Sequence, residues 1–383
     1  MYTRDDYVSR PFSTPTPMPD EQPHGPVVPD ARWKRRFRRQ LTDWFWSQAR
    51  DLPWRRTRDP YAIWISEIML QQTQVATVSD YFDRFLAAFP TIAALAAADE
   101  QQVLRYWEGL GYYRRARQLH QAARMMVQQH DGCFPQDPQA ILALPGIGRY
   151  TAGAIASIAW DAREPILEAN TVRLFARLLA YRDDPRAGSA HRRFWEFAAQ
   201  ILPRKQTGAF NQALMELGSR VCTPREPLCA HCPVQRLCPT RALGLQAQIP
   251  AVSKKRAYEN VLEAALVIRR GGRVLLRRCG MHERWTGLWD FPRFGVQSRG
   301  RTFAAEAARQ TAQLTGQHIE VGRHLTTIKH GVTRFRITLL CHEARWIAGP
   351  EANDLRWLEP VQLAEYPLNS SGRKISRLLN VQR

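Results

Sequence analysis

The chain has 383 residues, of which 55 are lysine or arginine and 35 are aspartate or glutamate, giving a formal net charge of +20. This charge favours a polyanionic partner such as nucleic acid, although a soluble basic protein without such a partner has the same composition. The length is sufficient for two or three domains. Neither an apolar run long enough to span a bilayer nor a signal-peptide pattern is present, so we expect a cytoplasmic or nucleoid protein without membrane contact.

The N-terminal segment differs in composition from the rest of the chain. Residues 11–30 contain seven prolines and no apolar period, which predicts a disordered, polyproline-like tail over residues 1–30. The basic, aromatic-rich run 32–39 then begins a helix that reaches about Gln48. Its charges either contact phosphates or only solvate one helix face, and the sequence favours neither interpretation.

A long helical region follows. From Asp59 to about Ala242, apolar residues recur with a helical period that proline and glycine interrupt. We therefore predict an all-α domain over residues 31–247.

One helix of this region carries an isolated carboxylate, Glu67. Its neighbours are almost all apolar: Trp64, Ile65, Ile68, Met69 and Leu70. Partial burial among them raises the pKa of a glutamate and keeps it protonated near neutral pH, as a general acid requires. The alternative is a surface glutamate on an amphipathic helix.

A hairpin between two helices is predicted over residues 138–160. Asp137 is placed to cap the first helix, with Pro138 at its first position. Gly146 and Gly148 then turn the chain into a second helix, whose N-terminal amides suit a DNA phosphate. A connection between two helices that binds no ligand also uses glycine, and this segment alone does not separate the two interpretations.

A second carboxylate follows the hairpin. Glu168 comes 18 residues after Tyr150, just before a helix that Asn170 is placed to cap. Near the positive end of that helix we expect the carboxylate to stay ionised. A protonated acid and an ionised carboxylate on two sides of a glycosidic bond form the pattern of retaining hydrolysis. The alternative is a helix-start charge in a catalytically weak protein.

Four cysteines lie within one loop of 17 residues: Cys222, Cys229, Cys232 and Cys238. Their spacing contains a single close pair, whereas zinc ribbons usually present two. We therefore favour one [4Fe–4S] cluster held by four thiolates, with zinc as the alternative. The other three cysteines have no such spacing, and we expect them to pack in the interior.

The pattern changes after the helical region. Residues 248–256 contain a proline and a basic run and are predicted to be a linker. Short β-rich runs follow, for example residues 262–268 and 335–340. They predict a second domain of α+β type over residues 257–383.

Four segments of the helical region together resemble the MutY family of adenine DNA glycosylases, within the endonuclease III superfamily. They are residues 52–55 (Leu-Pro-Trp-Arg), residues 65–74, residues 144–153 in the hairpin, and the cysteine loop. The resemblance covers roughly residues 33–240. It implies an all-α helix-hairpin-helix glycosylase fold with an iron–sulfur loop, and hydrolysis of the N-glycosidic bond of adenine mispaired with 8-oxoguanine or guanine in double-stranded DNA. We expect the enzyme to act as a monomer.

The resemblance assigns roles to the catalytic candidates. It implies that Glu67 is the general acid for adenine N7, that Glu168 stabilises or traps the oxocarbenium ion, and that Asn170 and Tyr150 complete the site. The bifunctional endonuclease III branch has its Schiff-base lysine where this chain has Tyr150, so we expect a monofunctional enzyme. The chain departs from the family's usual Asp-Gly-Asn, because it has Glu168-Ala169-Asn170.

The resemblance also implies DNA contacts. Gln72 and Tyr112 match the residues that fill the stack when a base is flipped out, although either has an alternative as an ordinary surface or core residue. Arg55, from the Leu-Pro-Trp-Arg segment, and the two hairpin glycines, Gly146 and Gly148, complete the predicted contacts in the helical domain.

Residues 257–383 resemble the Nudix-like domain with which MutY reads 8-oxoguanine. The positions of the Mg²⁺-binding glutamates in active Nudix enzymes hold Arg301, Gln310, Gln313 and Leu314, so we expect recognition without hydrolysis. The hairpin at residues 330–334 corresponds to the family's Phe-Ser-His loop. Thr333 keeps the hydroxyl, and Arg334 is a second candidate donor to a purine edge or a phosphate.

Two other functions are compatible with these patterns. The first is a mismatch glycosylase that acts on thymine or another base, since the shape of the base pocket is not visible in the sequence. The second is a damage-binding protein that has lost its chemistry through the change at Glu168.

Overall fold

The computed structural model describes residues 30–251, 257–297 and 300–381. The predicted tail, except Asp30, and most of the predicted linker lie outside the described residues. Up to residue 251, the described chain consists of helices and connecting loops. Its α-helices are α1 Ala31–Gln48, α2 Pro60–Leu70, α3 Val75–Ala88, α4 Ile92–Ala97, α5 Glu100–Tyr106, α6 Arg114–Gln129, α7 Pro138–Ala143, α8 Arg149–Trp160, α9 Ala169–Leu178, α10 Gly188–Ile201, α11 Thr207–Arg220 and α12 Pro239–Ala242.

Side-chain caps explain where several of these helices begin. The carboxylate of Asp59 accepts from the amides of Tyr61 and Ala62, and Pro60 occupies the first helical position of α2. Asp137 caps α7 in the same way, by accepting from the amide of Ala140 at 2.8 Å. The cap predicted at Asp137 is therefore present.

Two apolar cores build the helical region. The first core joins α2 through α8 and contains the fully buried Trp64 and Trp107. The second core joins α1, α9, α10 and α11 with the cysteine loop and contains the fully buried Phe175 and Phe210. Each such side chain contributes about 1.5–3 kcal/mol by burial. Helix α8 packs against both α2 and α11, so it lies between the cores.

The C-terminal region is a sheet with a helix on each face. Its strands run in the order β3-β2-β1-β6-β5, with β4 paired to β1 and β7 paired to β2. Separate apolar clusters pack on the two faces, and α13 and α14 cover them. The elements are β1 Glu259–Arg270, β2 Arg273–Arg278, β3 Trp289–Asp290, β4 Arg293–Gly295, α13 Phe303–Thr315, β5 His318–Val332, β6 Phe335–Ala348, β7 Leu355–Leu358 and α14 Ser370–Val381. The predicted fold class, all-α followed by α+β, is confirmed.

The β5–β6 hairpin ends in a two-residue turn. Val332 pairs with Phe335, so Thr333 and Arg334 form the tip. Thr333 has a φ of 51°, a left-handed conformation that is costly for a β-branched residue. Tight two-residue hairpin turns require such backbone angles.

The two regions share a closely bonded contact. Arg373 on α14 donates to both carboxylate oxygens of Glu108, at 2.6 and 2.8 Å. The amide of Leu368 donates to the same carboxylate, and the hydroxyl of Tyr113 donates to the carbonyl of Leu368. Leu288 is fully buried within the first core of the helical region. The α5–α6 loop, residues 107–113, is therefore held against the C-terminal region.

No helix among the described residues is both long enough and apolar enough to cross a membrane.

Candidate active site

A cleft of about 170 Å³ lies between the two helical cores. We call it the base cleft. It is lined by residues from the loop before α2, from α2, the turn after it, α8 and α11, and from the start of α9. All four catalytic candidates from the sequence reach it: Glu67, Tyr150, Glu168 and Asn170.

Glu67 is buried on α2, with 4% of its surface exposed. The hydroxyl of Tyr150 donates to its Oε2 at 2.7 Å. Burial raises the pKa of Glu67 to about 7, and the nearby charge of Glu168 acts in the same direction, whereas the hydrogen bond from Tyr150 lowers it. The predicted rise in pKa is present, and burial is nearly complete rather than partial. Close to neutral pH, Glu67 therefore carries a proton that it is able to give up.

Tyr150 is fixed in this cleft from two sides. Besides its bond to Glu67, its hydroxyl lies 3.2 Å from the sulfur of Met215. Burial raises the pKa of Tyr150 well above its usual value, and the charge of Glu67 adds to the effect. The hydroxyl therefore stays protonated and orients the carboxyl group of Glu67.

Glu168 itself is the N-cap of α9, so the prediction that Asn170 caps this helix is wrong. One carboxylate oxygen accepts from the amide and the side chain of Asn170, at 2.8 and 3.1 Å, and the other accepts from the amide of Thr171 at 2.9 Å. The hydroxyl of Thr171 accepts in return from the amide of Glu168, which closes a capping box. Asn170 lies within the first turn, where its backbone amide is one of the groups that need a cap.

Two opposing influences act on the pKa of Glu168. Burial raises its pKa, whereas the amides of Asn170 and Thr171 and the nearby Arg173 lower it. Burial is the larger influence, so the pKa of Glu168 lies above its usual value, although the hydrogen bonds at the start of α9 oppose the shift.

A third carboxylate of the base cleft, Glu216 on α11, was not singled out from the sequence. It is fully buried, and Arg50 and Arg55 donate to it at 2.7 to 2.8 Å. Burial alone raises the pKa of Glu216, but these hydrogen bonds outweigh burial and lower it to about 2. The sequence signal resembles that of Glu67, a carboxylate among apolar residues on a helix. Arg55, which the sequence predicts to contact DNA, donates hydrogen bonds to this carboxylate and to the carbonyl of Arg50.

Gln72 and Tyr112 are both exposed on loops. Tyr112 is 51% exposed, so the alternative that it is a core aromatic residue is wrong. Their φ angles are 57° and 48°, and each such left-handed residue costs on the order of 1–3 kcal/mol, a strain that concentrates at ligand sites.

The two hairpin glycines differ in their surroundings. Gly146 has a φ of +80°, and a Cβ at this position lies 2.9 Å from the Cβ of Gln118, so both the backbone angle and the space favour glycine. Gly148 is the N-cap of α8 and has no neighbour within 4 Å that a Cβ would meet. No side chain caps α8 in the described structure, and its first amides are available to a ligand.

A second cleft, of about 460 Å³, lies between the helical region and the C-terminal region. We call it the inter-domain cleft. Tyr112 lines it from the helical side, and Thr333 lines it from the tip of the β5–β6 hairpin. Arg334 is not among the lining residues. It is 63% exposed and lies 3.6 Å from Glu259.

The four cysteines of the loop line one small cavity beside the second core. None of the four forms a disulfide bond, and Arg177 donates to the sulfur of Cys222 at 3.3 Å. Among the described residues, no group of three or more His, Cys, Asp or Glu side chains is close enough together to hold a single metal ion. Four sulfurs around one cavity, with an arginine beside them, are nevertheless a suitable donor set for an anionic iron–sulfur cluster.

Residues 65–200 match the family described as HhH-GPD superfamily base excision DNA repair protein, and residues 264–378 match the family described as NUDIX domain. The Adenine DNA glycosylase of Rattus norvegicus is 40% identical over 288 residues, which are 73% of this chain and 54% of that protein. The Adenine DNA glycosylase of Buchnera aphidicola subsp. Acyrthosiphon pisum is 33% identical over 259 residues, which are 67% of this chain and 74% of that protein.

A solved structure of a thermostable thymine-DNA glycosylase is also similar. Its TM-score is 0.51 at 29% sequence identity, and the match covers 55% of this chain and 98% of that one. The chain spans about half the length of its mammalian relatives, but it covers three quarters of the Buchnera relative. On these matches, the chain belongs to the adenine DNA glycosylase family.

Proposed function

We propose that this protein is an adenine DNA glycosylase of base excision repair, which removes adenine mispaired with 8-oxoguanine or guanine in double-stranded DNA. The observation that carries the proposal is the buried, hydrogen-bonded Glu67 beside Glu168 in the base cleft. A carboxyl group with a pKa near neutrality, next to a second carboxylate, supplies an acid and an electrostatic partner for glycosidic cleavage.

In the proposed reaction, Glu67 donates its proton to N7 of the flipped adenine while Tyr150 holds the carboxyl group in place. The bond between N9 and the sugar then breaks, its electron pair leaves with the base, and the sugar becomes an oxocarbenium ion. Water adds to that ion and gives up a proton, so the products are adenine and an abasic site. Proton donation of this kind contributes about 10²- to 10⁴-fold in rate.

Glu168 is proposed to stabilise the oxocarbenium ion by its negative charge. Both of its oxygens already accept hydrogen bonds at the start of α9, which holds the carboxylate in one orientation before the charge develops. Fixed in this way, the longer glutamate stem occupies a single position, as the shorter aspartate of the relatives would.

The enzyme is proposed to be monofunctional. Tyr150 stands where a lyase has its amine nucleophile, and no lysine is among the described residues that line the base cleft. We expect the DNA strand to remain intact until alkali is added. Strand cleavage without alkali, together with a covalent product trapped by borohydride, contradicts this.

DNA recognition is proposed to involve both clefts. The amides at the start of α8 and the glycines of the hairpin bind phosphate, and Gln72 and Tyr112 fill the stack left by the flipped base. The inter-domain cleft takes the opposing 8-oxoguanine, with Thr333 as the polar contact. A monomer suffices, since one chain supplies every one of these residues.

The cysteine loop is proposed to hold one [4Fe–4S] cluster through Cys222, Cys229, Cys232 and Cys238. When bound, such a cluster ties the loop together and supplies structural rigidity. Purified protein is expected to contain about four irons and four sulfides per chain. Stoichiometric zinc without sulfide contradicts the proposal.

The C-terminal region is proposed to recognise a base without acting as a pyrophosphatase. Arg301, Gln310, Gln313 and Leu314 stand where Nudix enzymes bind Mg²⁺ through glutamates, and none of these side chains is a carboxylate. Conversion of 8-oxo-dGTP to its monophosphate in the presence of Mg²⁺ contradicts this.

The decisive experiment is single-turnover base release from duplexes that carry A:8-oxoguanine, A:G, T:G or only normal pairs. We expect release of adenine from the first two duplexes and none from the others. The T:G duplex tests the thymine alternative, which the similarity to a thymine-DNA glycosylase favours. Tight binding to A:8-oxoguanine without release supports the damage-binding alternative.

A further inference from the structure

A buried arginine on α6 joins the two loops that carry Gln72 and Tyr112. Arg115 is 8% exposed. Its two terminal nitrogens, which carry four hydrogens, lie within hydrogen-bonding distance of six acceptors, so some of the bonds are shared. The acceptors are the carbonyls of Ile68, Met69, Gln71, Leu110 and Gly111 and the hydroxyl of Thr73. Three of the carbonyls belong to the end of α2 or the turn after it, and two belong to the α5–α6 loop.

On the α2 side, Arg115 caps the end of the helix by donating to carbonyls of its last turn. The last carbonyls of a helix have no partner within it, and a cation at this end is favourable. The bonds to Ile68 and Met69 measure 2.8 and 2.9 Å. The turn that follows brings Gln72 into its left-handed conformation.

On the other side, Arg115 holds the loop directly before Tyr112. Its bonds to Leu110 and Gly111 measure 3.1 and 3.2 Å. The guanidinium also lies 5.6 Å from the ring centroid of Tyr112. Among the side chains that the structure describes, Arg115 alone donates hydrogen bonds to both loops.

We propose that Arg115 is a positioning residue that fixes the distance between Gln72 and Tyr112, so that both side chains enter the DNA together when the adenine leaves the stack. The inference rests on the proposed function, since it concerns how the same enzyme flips its base. A planar guanidinium is suited to this because its donors point in two directions at once, which a lysine ammonium on a flexible stem does not reproduce.

The test measures base flipping rather than catalysis. 2-Aminopurine replaces the target adenine opposite 8-oxoguanine, and its fluorescence rises when the base leaves the stack. The measurements use a Glu67→Gln background, so that no base is released. At saturating protein, Arg115→Lys is expected to lower the flipping equilibrium about tenfold, since displacements near 1 Å have effects of this order or larger.

The matched control is Arg124→Lys, on the same helix. Arg124 donates to a single carbonyl, that of Ala96, and touches neither loop, so its replacement is expected to leave flipping unchanged. Thr73→Val removes one acceptor while the buried arginine stays, and is expected to lower flipping by about twofold, the effect of one weak hydrogen bond. If Arg115→Lys fails to fold, the flipping equilibrium of Thr73→Val tests the positioning role of Arg115 instead.

The outcomes separate the two hypotheses. If the parent shows no rise in fluorescence with the A:8-oxoguanine analogue, the proposed function fails. If the parent flips the base and both Arg115→Lys and Thr73→Val flip it equally well, the positioning role of Arg115 is wrong. A second duplex with an additional mismatch beside the target lowers the cost of unstacking, and the deficit of Arg115→Lys is expected to shrink there.

Discussion

The two clefts of this protein are built in opposite ways. In the base cleft, the candidate groups already bind one another: Tyr150 donates to Glu67, and Glu168 accepts from the start of α9. In the inter-domain cleft, Tyr112 and Thr333 are exposed, and no hydrogen bond joins them among the described residues. The contrast indicates that one cleft serves chemistry and the other serves recognition. Chemistry depends on groups arranged before the substrate arrives, whereas the recognition side chains stay exposed to the ligand, and the hydroxyl of Thr333, within the part of the chain that the structure describes, bonds only to the neighbouring carbonyl of Val332.

We expect the largest effects of substitution on adenine release in the base cleft. Glu67→Gln removes the proton donor without changing size, and Glu168→Gln removes the charge. Each is expected to lower single-turnover adenine release by at least about a hundredfold, the usual minimum for a lost general acid, while DNA binding is retained. Glu168→Asp is expected to keep clear activity, because aspartate is also a favourable N-cap and carries the same charge.

Binding isotherms measured beside the release rates provide the control for that prediction. If Glu168→Gln releases adenine at the parental rate, Glu168 is only a charge at the start of α9 and has no role in the reaction. Loss of DNA binding in either variant points to a disturbed fold instead of lost chemistry.

The pH dependence follows from the same cleft. The acid form of Glu67 is the active one, and its pKa is raised to about 7, so the release rate is expected to fall as the pH rises through about 7. At acid pH the rate is expected to fall again, because protonation of Glu168 removes its charge. Because the pKa is raised on folding, the stability linked to Glu67 is also present below its ordinary value of 4.5 and is lost as the pH rises towards 7.

Glu216→Gln provides a further test of this pH dependence. It leaves Arg50 and Arg55 without their shared carboxylate, and their positive charge then favours ionised Glu67. The falling limb of the pH–rate profile is expected to move to lower pH. A shift of about one unit corresponds to a roughly tenfold lower rate above the pKa. A lower rate with an unmoved profile indicates a purely structural role for Glu216.

Much of the base cleft could be predicted from the sequence, and the reason is local. Glu67 is recognisable because its apolar neighbours lie within one helix turn, and burial follows from that pattern. The same signal is present at Glu216, on α11. The cap of α9 is harder to predict, because asparagine is the more usual N-cap residue and only the fold determines which residue precedes the first turn.

The inter-domain cleft was far less predictable. Both regions were visible as separate patterns, and the fold class followed from their periodicity. Tyr112 and Thr333 line the same cleft, however, only because of how the two folded regions pack. That packing is set by contacts such as Glu108 with Arg373, whose partners are distant in the chain and individually unremarkable in sequence.

An intermediate effect is expected where the α5–α6 loop is held against the C-terminal region. Glu108 lies in the α5–α6 loop beside Tyr112, and its bond to Arg373 is nearly buried, with 9% and 13% of the two side chains exposed. Glu108→Gln or Arg373→Met alone leaves a buried charge unpaired, which costs on the order of 3–5 kcal/mol.

The double variant removes both charges and is expected to regain part of this stability, measured by chemical denaturation. Its preference for 8-oxoguanine over guanine is expected to fall about fivefold, as coupling energies between sites commonly allow. Unchanged preference in a stably folded double variant shows that this ion pair does not contribute to recognition of 8-oxoguanine.

The smallest effect is expected at the tip of the β5–β6 hairpin. The sequence predicts that two residues there contact the base, but the structure gives them different surroundings. Thr333 lines the inter-domain cleft, whereas Arg334 extends away towards Glu259. Thr333→Ala removes one neutral hydrogen-bonding group, so the preference for 8-oxoguanine over guanine is expected to fall about three- to tenfold. Arg334→Ala is expected to leave that preference unchanged, because an exposed ion pair contributes little. Binding of matched A:8-oxoguanine and A:G duplexes measures both variants, and a larger loss for Arg334→Ala reverses the assignment of the reading residue.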